Sequence, residues 1–132
     1  MPRGQWPLVN GRPAIEVVLS QTHGLPLTDR SLLADTGAGT ARSGFEIVLT
    51  EQDCLSCGAI PLYAVALGGA YSGVFPVYLV RVRIPIIGFE RAVPAVGVQK
   101  VPTGFDGIAC FRFLNRFAYG NFGDAHHFGI EI

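Results

Sequence analysis

The chain has 132 residues, the size of one domain and too short for two lobes that each bury a core. Hydrophobic residues make up 49% and charged residues only 15%, so a monomer has few charges to cover its surface, and the surplus apolar area points to a subunit interface. Ten Lys and Arg balance ten Asp and Glu without a basic run, which argues against nucleic acid as a partner.

The opening residues 1–13 read as an N-terminal arm, interrupted by Pro2 and Pro7 and without an apolar core of signal-peptide length. Residues 14–132 read as one domain. Ala14–Leu19 is the first expected strand, 24–28 a turn, and 31–35 a second strand that pairs with the first as a hairpin. A strand is expected over 45–50, and a polar, turn-rich stretch with room for a helical turn over 51–58. Two β-rich runs, 61–67 and 74–84, flank Gly68, Gly69, Ala70, Tyr71, Ser72 and Gly73, which gives a hairpin with a glycine-rich tip. Further strands are expected over 92–98, 106–109 and 127–132. Residues 110–117 alternate apolar side chains with Arg112 and Arg116 and suit the one short amphipathic helix. Seventeen glycines and nine prolines punctuating these runs define an all-β class. The most apolar stretch, 74–87, is broken by Pro76, Arg81, Arg83 and Pro85, so no membrane partner is expected. An odd three cysteines fit a reducing compartment, hence a cytoplasmic location.

Chemistry concentrates at 31–38, where Asp35, Thr36, Gly37 and Ala38 follow the apolar Leu32, Leu33 and Ala34. A carboxylate emerging from a buried strand is costly unless hydrogen-bonded, and a following glycine lets backbone N–H groups approach it. Such a tripeptide is also good turn chemistry, with Asp35 as a cap.

Leu33-Ala34-Asp35-Thr36-Gly37-Ala38 resembles the active-site motif of retropepsin-like aspartic peptidases, single-lobed relatives of pepsin that assemble as homodimers. The hairpin at 68–73 resembles the flap of that family, and 105–114 resembles its second signature, an apolar strand leading into a short helix. The resemblance implies a pepsin-like half-barrel with one short C-terminal helix. It also implies Asp35 as the catalytic acid, Thr36 bonded across a dimer axis, and Gly37 against carboxylate and substrate. Ala38, Gly68, Gly69, Ala70 and Tyr71 would then contact a peptide or protein substrate. Two facing carboxylates about 3 Å apart share one proton, so one acts as base and the other as acid on an attacking water. No metal or other cofactor is implied. A lone carboxylate cannot play both roles, so a single motif implies a two-fold dimer.

The chain departs from the pattern at Cys110, where the family has a glycine, and after Ala38, where Thr40 or Ser43 stands in for a bracing hydroxyl. Cys110 keeps open a second reading, a weak or inactive dimer of this fold that binds peptides without cutting them.

Other groups read more plainly. Cys54 and Cys57 have the spacing of half a zinc site or of a redox pair, but no second pair follows, Cys110, His126 and His127 would complete four ligands only across distant segments, and a redox motif belongs on a βαβ pattern absent here. His23, His126 and His127 read as loop histidines. The aromatic residues from Phe111 to Phe122 read as core or interface, since no lysines flank them.

Overall fold

The computed structural model describes residues 2–20, 28–58 and 60–132. The strands are β1 (Arg3–Pro7), β2 (Ala14–Leu19), β3 (Thr28–Ala34), β4 (Ile47–Thr50), β5 (Pro61–Leu67), β6 (Gly73–Ile84), β7 (Phe89–Val98), β8 (Gly107–Ala109), β9 (Ala118–Gly120) and β10 (His127–Glu131). Two short helices, α1 (Glu51–Ser56) and α2 (Phe111–Leu114), complete the chain, so the all-β class holds.

Six strands close a barrel in the order β2-β3-β8-β4-β7-β6, with β6 returning to β2 through Val18↔Arg83 and Leu19↔Val82. The β3–β8 and β4–β7 pairs are parallel and the others antiparallel. β5 hangs on β6 as a hairpin beyond the closure. A separate sheet, β1-β10-β9, joins the two ends of the chain, with Arg3 opposite Glu131. The 1–13 arm thus enters a sheet through β1.

Period-two alternation explains how one strand can serve two clusters. Ile47 and Leu49 of β4 enter the barrel core with Ile15, Leu32, Val80 and Phe113, while Val48 turns the other way to join Val77, Val96, Ile108 and Cys110 beneath the β5–β6 hairpin. Both faces of β4 are dry, which is why its sequence is a continuous apolar run. Each fully buried Leu or Ile contributes about 1.5–3 kcal/mol of transfer free energy. Closure is tight at Gly107, where a Cβ would lie 2.2 Å from the Val48 carbonyl oxygen.

The expected strands appear with shifted ends. β3 starts at Thr28 and stops at Ala34, so Asp35 is the first residue past the strand, where the chain turns back with Ala38 N–H donating to the Asp35 carbonyl at 3.1 Å. The expected turn at 24–28 lies almost wholly outside the described residues. The stretch after β4 is a true helix: Thr50 caps it by accepting from Asp53 N–H at 3.2 Å, and Glu51 and Asp53 sit in the first turn, where the helix dipole favours acids. Among the described residues there are thus two α-helices where one was expected, besides a 3-10 turn at Pro85–Ile87. The helix expected over 110–117 is one turn, because Cys110 is extended as its N-cap and the chain tightens into i→i+3 bonds from Arg116 to Phe113 and Phe117 to Leu114. Among the described residues no helix is long and apolar enough to cross a membrane.

Candidate active site

β3 and β8 run parallel, pairing Leu33 with Ile108 and Ala34 with Ala109, and this register delivers Asp35 to the mouth of the barrel. Asp35 N–H donates to the Ala109 carbonyl at 3.0 Å. Below, Asp106 ties the same two strands, accepting from Ser31 N–H through Oδ2 at 2.8 Å and donating its own N–H to the Ser31 carbonyl at 2.8 Å. The Asp35 carboxylate is held by Gly37, whose N–H donates to Oδ1 at 2.9 Å. A Cβ at Gly37 would lie 3.3 Å from that oxygen, so the absent side chain permits the approach. Asp35 is half-buried, and Thr36 and Gly37 are exposed. The carboxylate is anchored by backbone yet open on one side.

Beneath the β5–β6 hairpin lies a cavity of about 370 Å³, bounded by Gly37, Ala38 and Phe45 on one side, Leu67, Gly68 and Tyr71 on the other, and Val48, Ile108 and Cys110 at its floor. That volume is at the low end of the ~300–1,000 Å³ range of ligand pockets, and its lining is mainly apolar. Of the predicted substrate contacts, Ala38, Gly68 and Tyr71 border the cavity, whereas Gly69 and Ala70 sit exposed at the hairpin tip. Tyr71 packs edge-on to Phe75 with ring centroids 6.3 Å apart, and burial raises its phenol above the ordinary value. Tyr63 fastens the hairpin by donating its hydroxyl to the Gly44 carbonyl.

Cys110 is fully buried where the thiol faces this floor; burial, and secondly the charge of Asp35, push it up to about 12. It therefore acts as a neutral apolar group near neutral pH. Of the two hydroxyls left open by the sequence, Ser43 Oγ accepts from Thr40 N–H at 2.8 Å and Thr40 Oγ1 from Arg42 N–H at 3.2 Å, both within the 40–43 turn.

The residues that sequence reasoning passed over are Glu46, Arg112 and Arg116. Glu46 is the one fully buried charged side chain among the described residues, at 1% exposure, and Arg116 grips it with Nε at 2.5 Å and Nη2 at 2.8 Å. Its sequence context, an acid before an apolar strand, carries no sign of a partner 70 positions away.

The remaining candidates do not converge. Cys54 is buried on α1 and Cys57 caps that helix, both unpaired thiols, and burial pushes Cys54 up to about 12. Among the described residues no three His, Cys, Asp or Glu side chains form a metal-holding group. Asp124 organises the turn before β10, accepting from His126 N–H at 2.9 Å and lying 2.8 Å from His127 Nδ1, which keeps its carboxyl below the ordinary value. His23 lies outside the described residues. The aromatic cluster is core in part: Phe89, Phe113 and Phe117 meet edge-to-face with centroids 5.2–5.7 Å apart.

No protein-family model matches the chain, and no curated protein matches its sequence.

Proposed function

We propose that the chain is one half of a homodimeric, retropepsin-like aspartic endopeptidase with a pepsin-like half-barrel fold. Asp35 and its symmetry mate form the general acid–base pair. The observation that carries the reading is the half-buried Asp35 carboxylate, backbone-anchored beside an apolar cavity under a glycine-tipped hairpin. A peptide lies extended between hairpin and barrel mouth and places an apolar side chain in the cavity. One aspartate takes a proton from water as the oxygen attacks the scissile carbonyl, the other donates to the carbonyl oxygen, and collapse of the tetrahedral intermediate returns a proton to the leaving nitrogen. Thr36, exposed beside Asp35, meets its copy across the two-fold axis. The hairpin acts as a flap that opens for substrate entry. The unpaired thiols suit a reducing, cytoplasmic setting.

A second reading, a dimer that binds peptides without cutting them, is favoured by Cys110, whose buried thiol fills space beside the Asp35 loop. Incubation with a mixed peptide library from about pH 3 to 7, with Asp35→Asn in parallel, separates the two. Cleavage by the wild type alone supports the peptidase. Peptide retention without cleavage by either form supports the binding module.

A further inference from the structure

The cavity has one wall made by the flap and another made by residues 38–46, a segment with no regular structure until β4 begins. That second wall is held from behind. Phe111 N–H donates to the Ala38 carbonyl at 2.9 Å and Cys110 N–H to the Glu46 carbonyl at 3.0 Å, so main chain fixes its two ends. Between them, Arg112 and Arg116 stand four residues apart on α2 and the turn that follows, a spacing that aims both at one strip of surface. Arg112 Nη1 donates to the Ser43 carbonyl at 2.8 Å, and Arg116 takes the Glu46 carboxylate in a fork. Ser43 in turn holds Thr40 N–H through Oγ. Side chains thus grip the middle of the wall at two adjacent carbonyls, Ser43 held from behind by Arg112 and Gly44 held from the hairpin by the Tyr63 hydroxyl, next to Phe45 and Gly39 at the cavity.

Asp35 rests on different supports: its carboxylate accepts from Gly37 N–H, and its own backbone N–H donates to the Ala109 carbonyl. Wall and carboxylate can therefore be loosened separately.

We propose that Arg112, acting through the Ser43 carbonyl, is a positioning residue that sets the shape of the cavity wall and thereby how strongly the protein prefers a bulky apolar side chain to alanine in a bound peptide. This rests on the reading that the cavity receives a peptide side chain, but not on cleavage. With the bond intact, the wall stands rigid and packs against one side of a bulky side chain seated in the half-open cavity. With it lost, residues 39–43 loosen while Gly44 stays on Tyr63, and water enters beside the guest, so the penalty falls on large side chains and leaves alanine unaffected.

The test uses short reduced-amide peptides, which resist hydrolysis, with a single Phe walked through an alanine-rich sequence. They are titrated against wild type, Arg112→Met and Arg112→Lys by isothermal calorimetry, with circular dichroism and melting to confirm folding. Methionine keeps the apolar stem and removes the donor; lysine restores one donor to the carbonyl. Expected is a preference for Phe over Ala at the best position of about tenfold in wild type, falling to about twofold in Arg112→Met and largely recovered in Arg112→Lys. A folded Arg112→Met protein with the wild-type ratio overturns the proposal, as does Arg112→Lys that fails to recover it. Wild type with no preference at any position also overturns it. Library cleavage with Asp35→Asn judges the peptidase reading independently, since the peptides used here are not cut.

Discussion

Arg116→Met isolates the energetics of the buried acid Glu46. Glu46 is 1% exposed and its carboxylate has both oxygens on Arg116, whose own side chain is 36% exposed. Removing one partner of a buried pair strands the other charge, at about 3–5 kcal/mol. The open side of Arg116 lets water reach the abandoned carboxylate, which sets the loss at the low end, about 3 kcal/mol. Methionine preserves stem packing near Phe89, over which the guanidinium sits 6.0 Å from the ring centroid, so little of the loss is apolar. With a urea slope of about 2 kcal/mol/M, the unfolding midpoint falls by about 1.5 M. Unfolding followed at two protein concentrations separates this from dissociation of the proposed dimer. Glu46→Leu combined with Arg116→Met leaves no stranded charge and recovers most of the stability. A loss below about 1 kcal/mol in Arg116→Met, or a double variant no better than the single, refutes the reasoning.

Two further outcomes follow from close packing and from the thiols. Gly107→Ala puts a Cβ 2.2 Å from the Val48 carbonyl between two barrel strands, where only backbone movement can relieve it; a loss of about 3 kcal/mol or more is expected in the same urea assay. Cys54 and Cys110, pushed up to about 12 by burial, resist alkylation in the folded protein near pH 8 and react once it is unfolded, which mass spectrometry after iodoacetamide reads directly. Because the folded values lie above the ordinary 9.0, the stability held by these neutral thiols is whole below about pH 9 and is lost as the pH climbs toward about 12.

The barrel strands were legible because turn residues bound apolar runs whose parity matches the two buried clusters, as 47 and 49 against 48 show. β1 and β9 were not. β1 contains Gly4 and ends at Pro7, and its pairing with β10 spans almost the whole chain, so nothing local marks it. β9 is three residues long inside an aromatic stretch that reads as core or interface. Asp35, Gly37 and the glycine-rich hairpin stood out because their chemistry is local: a carboxylate, a close backbone N–H, a tight turn. Glu46 and Arg116 did not, since a salt bridge across 70 residues leaves no periodic trace and only the fold brings its halves together. Ser43 shows the same limit, for the sequence left it equal with Thr40 and only the fold shows its hydroxyl accepting from Thr40 N–H.

The central claim, that two chains each supply one carboxylate, is tested most directly by subunit mixing. Wild type is equilibrated with increasing Asp35→Asn protein at constant total concentration, and peptide cleavage is followed. If one active site needs Asp35 from both chains, activity falls as the square of the wild-type fraction, leaving about one quarter at an equal mixture. A fall in simple proportion, leaving about half, means that each chain works alone and contradicts the account.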